Sequence, residues 1–320
     1  MPQITASTRT APGKGSVSTL LPQTLHVLER GWLSANNILA FDGPAATLID
    51  SGYVTHAEQT VALINHALDG RKLNRLINTH SHSDHIGGNA AIQAVHQCRI
   101  FVPAGLQATI AEWDEAALLL SPLGQQAARF QHDGTLTAGD CFEMGELNWQ
   151  CLAVPGHDMD ALAYYNPEKR LLISGDALWE NGFGVIFPEL LGTADGLQAT
   201  RNTLEMLARL PIELVIPGHG APFTQVDVAL QRAFQKLEYF SRHIEKLVWH
   251  ALKVLVAFAL MEKPGLHRDH FAEFVLSLPF AVDLNQRYLG LRDDIFVAQL
   301  HQALQQSGAL QERDQRLFMH

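Results

Sequence analysis

Residues 79–85 read Thr-His-Ser-His-Ser-Asp-His and are the most informative stretch of this sequence. They follow the apolar run 73–78, which predicts a buried strand, and they precede Gly87, Gly88 and a helical pattern over 86–95. The imidazole and carboxylate side chains therefore lie where a strand leaves a sheet. In α/β folds, functional sites are placed at this edge.

The spacing of these side chains is typical of a site for two metal ions. Residues two apart in an extended segment point the same way, so His80 and His82 can bind one ion together. Asp84 and His85 lie where the chain turns into the helix and can reach a second ion beside the first. A solvated polar turn is the alternative interpretation.

Four more His or Asp residues each follow an apolar run and lie in a short turn that contains glycine. They are Asp50 in LIDSG, His157 in VPGHD, Asp176 in ISGDA and His219 in IPGHG. Each would emerge at the carboxyl edge of a sheet, where the motif at 79–85 also lies. One such residue alone is more often an ordinary turn residue, but four in the same context indicate further ligands.

Helical and strand patterns alternate over residues 23–225, which predicts an α/β fold. Residues 1–22 are rich in Ser, Thr, Pro and Gly and lack the apolar segment of a secretory signal, so we expect a flexible N-terminal tail. Residues 104–133 read as mostly helical and predict a lid or insertion. One long helical pattern covers 226–261, so we place a domain boundary near 225, before a mainly helical module over 226–320.

The chain carries 33 acidic and 23 basic residues, a formal charge of −10, which disfavours binding to nucleic acid or to an anionic membrane. No apolar stretch reaches the ~20 residues of a membrane span. Cys98, Cys141 and Cys151 are too few and too scattered for a disulfide framework, which favours a reducing compartment. We therefore expect a cytoplasmic protein without membrane or nucleic-acid partners.

The order and context of these motifs resemble those of the metallo-β-lactamase superfamily. Five motifs have counterparts here in the same order, namely Asp50, HSHSDH at 80–85, His157, Asp176 and His219. The resemblance covers roughly residues 20–225 and implies an αββα sandwich with a dinuclear metal site on one edge. The motifs are specific to the superfamily but not to one activity.

Carried over residue by residue, the resemblance implies seven metal ligands and one supporting residue. The first ion would be bound by His80, His82 and His157, the second by Asp84, His85 and His219, and Asp176 would bridge both. Asp50 would orient a ligand or the motif loop. The presence of both Asp84 and His85 fits the two-metal hydrolase branch better than the single-iron members.

Two such ions imply a hydrolytic mechanism. Divalent ions ~3.5–4 Å apart lower the pKa of a shared water towards ~7, and the bridging hydroxide can attack a carbonyl or phosphoryl centre. Mixed imidazole and carboxylate ligands favour zinc, with iron or manganese as alternatives. Asp84 and Asp176 are the expected catalytic residues, and Asp84 is the candidate for relaying a proton to the leaving group.

Aromatic residues that follow the expected bridging ligand are candidates for a substrate pocket. They are Trp179, Phe183 and Phe187. They could form an apolar wall for an acyl chain or a ring, and the alternative is a core strand with a glycine bulge.

The residues after His157 depart from the family pattern. Asp158 and Asp160 stand where many relatives, including glyoxalase II, carry Thr or small residues. A carboxylate that holds the imidazole of His157 and a solvated turn are the two interpretations. The departure argues against a standard glutathione-thioester site.

The C-terminal module resembles the small winged-helix-like module of some superfamily hydrolases and of their endoribonuclease branch, because a helical pattern over 296–308 leads into a short strand at 309–312. Its acidic and basic residues balance and it lacks a basic stripe, so nucleic acid is not the expected partner. We expect the module to cap the active-site cleft or to pack a homodimer. The stripe Leu247, Trp249, Leu252, Leu255 and Phe258 predicts core packing, with a partner surface as the alternative.

The leading hypothesis is a dinuclear metal hydrolase that acts on a small-molecule ester, thioester or lactone. One alternative is a metal-dependent endoribonuclease or phosphodiesterase, and another is a non-catalytic ligand-binding or regulatory protein. The complete ligand set disfavours the non-catalytic protein, and the absent basic stripe disfavours the nuclease.

Overall fold

A computed structural model describes residues 16–319 and contains two sheets that face each other. The first sheet has the strand order β1 (Leu25–Leu28), β2 (Asn37–Asp42), β3 (Ala45–Ile49), β4 (Lys72–Ile77), β5 (Arg99–Pro103) and β6 (Gly134–Leu136). Strands β1 to β3 are antiparallel, and β3 to β6 are parallel. The parallel strands therefore direct their carboxyl ends to one edge.

The second sheet contains β7 (Cys141–Met144), β8 (Leu147–Ala153), β9 (Leu162–Asn166), β10 (Leu171–Gly175) and β11 (Leu214–Pro217), in the order β11-β10-β9-β8-β7. Only β10 and β11 run parallel to each other in this sheet.

Helices cover the outer face of each sheet, as an αββα sandwich requires. The helices of the first part are α1 (Val17–Leu20), α2 (Ala57–Leu68), α3 (Ser83–Ile86), α4 (Asn89–His96), α5 (Gln107–Glu112), α6 (Leu120–Leu123), α7 (Phe187–Leu191) and α8 (Gly196–Ala208). Neighbouring residues of one strand serve different layers: Leu48 packs under the helices, whereas Ile49 packs between the sheets. The prediction of an αββα sandwich is confirmed.

The C-terminal part is mainly helical. Its helices are α9 (Val226–Arg242), α10 (Ile244–Met261), α11 (Phe271–Leu276), α12 (Pro279–Leu284) and α13 (Asp293–Gln306), and a small sheet has the order β12 (Leu266–His267), β14 (Arg316–Met319), β13 (Leu310–Arg313). After α10, the chain thus forms strand β12, helices α11 to α13, and a hairpin of β13 and β14. The winged-helix-like character and the homodimer remain predictions.

The domain boundary near 225 coincides with the first residue of α9, but the core does not divide there. Leu204 of α8 and Val215 of β11 belong to the same buried cluster as Leu237 of α9 and Leu252 of α10. The two parts therefore share one apolar core. None of the helices between residues 16 and 319 has the length and apolarity needed to span a bilayer.

Three predicted elements differ from the structure. The helix over 226–261 is interrupted at His243, whose φ of −139° and ψ of 74° are not helical. The helix over 86–95 is two helices, α3 and α4, separated at Gly87 and Gly88. Glycine is required at 88, because a side chain there would lie 2.3 Å from the carbonyl oxygen of Ser51. The segment 104–133 is less helical than expected, since α5 and α6 are short and 125–133 has no helix.

The predicted tail is only partly described. Residues 1–15 lie outside the described part of the chain. Residues 16–22 contain α1, and its side chains Val17 and Leu20 pack against the core between the sheets. These two side chains are only partly buried, and the flexible tail remains a prediction.

Candidate metal centre

The candidate ligands and the supporting residue Asp50 follow five different strands at one edge of the sandwich. Asp50 follows β3, the 79–85 motif follows β4, His157 follows β8, Asp176 follows β10 and His219 follows β11. All of these side chains are buried or nearly so. The structure thus brings together every residue that the sequence analysis nominated as a ligand.

The ligand atoms form three overlapping trios, each with its atoms within 4.8 Å of one another. The trios are His80, His82 and His157; His80, His85 and Asp176; and Asp84, His85 and His219. The first and third are the two sets implied by the family resemblance. The second trio joins them, so the groups form one continuous cluster.

Asp176 lies between the two halves of this cluster. Its Oδ1 is 3.4 Å from Nε2 of His85, and its Oδ2 is 3.4 Å from Nε2 of His157 and 3.8 Å from Nε2 of His219. A side chain at Gly218 would come within 2.2 Å of Oδ1, so the chain passes this carboxylate too closely for any residue but glycine. Asp176 therefore lies where the family resemblance implies a residue shared by both sets of ligands.

Two observations indicate that cations fit this cluster. Nε2 of His80 and Nε2 of His85 are buried without a hydrogen-bond partner among the described residues, a costly state unless another group binds them. Nδ1 of His82 lies 2.6 Å from Nε2 of His157. Ring nitrogens this close must share a proton or a cation.

The surroundings favour the protonation states that bind metal. Burial lowers the pKa of His82 and of His157 to about 4 and that of His80 well below its usual value, so these rings are neutral at pH 7. Burial would raise the pKa of Asp176, but the rings of His219 and His85 hold it well below the usual range.

An excess of carboxylates surrounds His85. Burial would lower the pKa of its imidazole, but Asp176, Asp50 and Asp84 raise it well above 6.5. The ring therefore carries a proton when nothing else supplies positive charge. A divalent cation in the same place would compensate the carboxylates and replace that proton.

Asp50 anchors the 79–85 motif through hydrogen bonds on the side away from the centre. Its carboxylate accepts hydrogen bonds from the backbone N–H of Thr79 at 2.9 Å and from the Thr79 hydroxyl at 2.8 Å. It also lies 2.8 Å from Nδ1 of His85. Because this contact keeps a proton on Nδ1, Nε2 of His85 is the nitrogen left to bind a cation at the centre.

A backbone carbonyl orients His157. Its Nδ1 donates to the oxygen of Val185 at 2.5 Å, which leaves Nε2 toward the cluster. The interpretation that Asp158 holds this ring is wrong, because the Asp158 carboxylate instead accepts from the backbone N–H of Asp160 at 2.7 Å. A backbone hydrogen bond from Ser81 also joins the Asp158 carboxylate to the 79–85 motif.

Two of the three predicted pocket residues face the centre. The indole N–H of Trp179 donates to Oδ1 of Asp176 at 3.2 Å, and the ring of Phe187 lies 5.1 Å from that of His82. The prediction is wrong for Phe183, which is 2% exposed in the core behind His157 and does not line the open cavity at the centre. The segment is a turn with a Trp179–Gly182 bridge, not a strand.

Several lining residues gave no sequence signal. Trp32, which is 54% exposed, stacks on His219 with the ring centres 5.4 Å apart. From α10, His250, Val254, Leu255 and Phe258 line the small cavity of about 60 Å³ at the centre. Of these, Leu255 and Phe258 belong to the stripe predicted as core, so this helix covers the site.

Comparisons with known proteins agree with this geometry. Residues 30–219 match the family model of the metallo-beta-lactamase superfamily. A hydroxyacylglutathione hydrolase of Bartonella tribocorum is 32% identical over 159 residues, which is 49% of this chain and 53% of that protein. The chain thus spans about half the length of the curated relatives it matches.

Solved structures with the same fold extend over most of the chain. A metallo-beta-lactamase family protein from Thermus thermophilus superposes with a TM-score of 0.55 at 19% identity, covering 93% of this chain and 99% of that one. TTHA1623, solved in a di-iron-bound form, has a TM-score of 0.52 at 26% identity and covers 65% of this chain and 98% of its own. Since the family model matches more than half of the sequence and the fold agrees, the chain belongs to the metallo-beta-lactamase superfamily.

Proposed function

We propose that the protein is a dinuclear metal-dependent hydrolase that cleaves a thioester. The observation that carries the proposal is the convergence of seven buried His and Asp side chains on one cluster with Asp176 at its middle. The similarity to proteins named hydroxyacylglutathione hydrolase supports a thioester within the ester, thioester and lactone class.

The chain's own residues divide the work around the ions. When bound, two divalent ions polarise the substrate carbonyl and lower the pKa of water. Asp176 is held in place by the Trp179 indole N–H. The Asp84 side chain is 14% exposed and lies 3.0 Å from Nε2 of His219, at the mouth of the centre. From there its carboxylate can take a proton and pass it to the departing thiolate.

Zinc is the metal we propose, because the ligands are imidazoles and carboxylates without thiolate. Iron remains the first alternative, and a relative of 26% identity has been solved in a di-iron-bound form. The lining supports a carbonyl substrate over a phosphodiester, since Trp32, Trp179 and Phe258 surround the centre. Arg287 in the neighbouring cleft is already paired with Asp283 at 2.8 Å.

The test combines metal analysis with a substrate panel of thioesters, lactones and single-stranded RNA. We expect about two metal ions per chain and hydrolysis of thioesters above all other substrates. His82→Ala should lose at least one ion and the activity, whereas His66→Ala, an exposed histidine on α2, should lose neither. Less than one metal per chain together with unchanged activity in His82→Ala would disprove the proposal, and selective cleavage of RNA would replace the substrate class.

A further inference from the structure

A second cavity, of about 250 Å³, lies between α10, the end of α13 and the end of β14, the central strand of the small sheet. Most of its wall is aliphatic, aromatic or thioether. The lining residues on the side away from the metal centre are Lys253, Ala257, Met261, Leu304, Ser307, Ala309 and Met319. The cavity is thus formed almost wholly by the C-terminal part, outside the residues 30–219 that match the family model.

This cavity adjoins the space at the metal centre. Four side chains, Trp32, His250, Val254 and Phe258, line both the cavity and the small space at the centre. Trp32 forms the corner between them, since its ring stacks on the ligand His219. A group that enters the cavity therefore starts beside the atoms that the mechanism uses.

The shared wall carries no charge at neutral pH. Burial, with help from the ammonium groups of Lys236 and Lys253, lowers the pKa of His250 to about 3, so its ring is neutral. The Lys253 stem can lie along the apolar wall while its ammonium reaches water. Met261 and Met319 add flexible side chains that adapt to the shape of an occupant.

A larger cleft of about 690 Å³ reaches the centre from the other side. It shares His82, His157, Phe187 and Leu255 with the space at the metal centre, and most of its other lining is apolar as well. The two cavities therefore differ mainly in size and in charged side chains such as Asp158 and Arg287, which only the larger one contains. The smaller one suits an apolar chain alone, and the larger one also offers charged groups to a bulkier thiol portion.

We infer that the 250 Å³ cavity binds the acyl chain of the substrate and that the cleft receives the thiol portion. At roughly 30 Å³ per small group, the cavity holds a straight chain of about eight carbons. The inference rests on the proposed thioester hydrolysis. Water adds to the carbonyl carbon, the C–S bond breaks, and the products are the free fatty acid and a thiol that has taken the proton.

The first experiment varies the acyl chain on one constant thiol, N-acetylcysteamine, from acetyl to dodecanoyl. We expect kcat/KM to rise by up to about four-fold per methylene and to level off near eight carbons. Ala257→Phe fills the cavity and should remove the preference for long chains. Ala259→Phe, the same change two residues along the same helix but outside the cavity lining, should keep it.

A second filling variant, Ala309→Phe, covers the case in which Ala257→Phe does not fold. Chain-length dependence that is absent in the wild type, or that survives both filling variants, overturns the inference. The same holds if Ala259→Phe removes the dependence as strongly as Ala257→Phe, because the effect would then be unspecific.

The second experiment needs no activity. Straight-chain alcohols from butanol to decanol are titrated calorimetrically into metal-free protein, and affinity should rise until about eight carbons in the wild type and in Ala259→Phe only. If alcohol binding shows this chain-length dependence but no thioester is hydrolysed, the cavity binds an alkyl chain and the proposed function is wrong. If thioesters are hydrolysed at a rate that does not depend on acyl-chain length, and no alcohol binds, the proposed function stands and the assignment of the cavity to the acyl chain is wrong.

Discussion

The carboxylate of Asp50 controls the proton of a ligand without joining the cluster itself. It lies 2.8 Å from Nδ1 of His85 and accepts two hydrogen bonds from Thr79. Asp50→Asn keeps the shape but brings an amide N–H₂ against these donors. We expect metal affinity to fall about 10- to 100-fold, as measured by competition with a chelator.

Asp158→Asn is the matched control for this prediction. Asp158 neighbours His157 in the sequence, yet its carboxylate bonds to the backbone N–H groups of Asp160 and Ser81 while Val185 orients the ring. Because the Asp158 carboxylate fixes the proton of no ligand ring, the control should lose much less metal affinity than Asp50→Asn. Equal losses in both variants would mean that negative charge near the site, and not the contact with His85, sets the affinity.

Lys236 makes the free energy of unfolding depend on pH in the alkaline range. Burial lowers its pKa from 10.5 to about 8. Between these values the unfolded chain binds more protons than the folded one, so stability rises with pH, by about 1.4 kcal/mol per unit and about 3 kcal/mol in all. Below about pH 8 both states are charged and this gain is absent.

Lys236→Met isolates the effect, because the variant has no ammonium to bury. Urea unfolding at about pH 7 and about pH 9.5 should show the wild type gaining about 2 kcal/mol relative to the variant. If the free energies of unfolding of the two proteins differ by the same amount at both pH values, the pKa of Lys236 is not lowered.

The candidate ligands could be predicted from the sequence because each lies in a short local pattern, a turn directly after an apolar run. Trp32 and His250 had no such pattern. Trp32 reaches the centre through its stacking on His219, and His250 through the packing of α10 over the site. These placements depend on contacts between segments far apart in the chain, which residue spacing does not encode.

At the scale of elements, the end of α10 is tied to the first part of the sandwich. The Tyr53 hydroxyl donates to the Glu262 carboxylate, just beyond the last residue of α10, and accepts from the backbone N–H of Gln126 at 3.1 Å. Its ring lies against Phe258, with the centres 5.1 Å apart. These contacts hold the helix over the metal centre.

Tyr53→Phe removes the hydroxyl and leaves the Glu262 carboxylate and the backbone N–H of Gln126 without their partner. We expect the free energy of unfolding in urea to fall by about 1–3 kcal/mol. Tyr165→Phe is the control, since its hydroxyl makes only a long contact of 3.3 Å with the Pro211 carbonyl. If both variants lose the same stability, the tie to Glu262 is not what anchors α10.

Element type was predictable wherever the period of apolar residues was clear, and element ends were not. The break at His243 falls inside an uninterrupted helical pattern; α9 before it packs on α8, and α10 after it packs on α12 and α13. The division of 86–95 had a visible cause in Gly87 and Gly88. The need for glycine there is a contact with the 51–54 loop, which the sequence alone does not place.

At the scale of the whole molecule, the boundary near residue 225 separates two sequence patterns but not two cores. Leu204, Val215 and Phe187 are buried in one cluster with α9 and α10, so residues 23–225 alone would expose a large part of that cluster. We expect a fragment ending at 225 to lack a cooperative thermal transition and the near-ultraviolet circular dichroism of packed aromatics, whereas the full chain has both. Adding the 226–320 fragment should restore them, because it supplies the missing apolar surface. A fragment that unfolds cooperatively by itself would show that the sheets stabilise the sandwich without the C-terminal helices, and the helices would then be an accessory that closes the site.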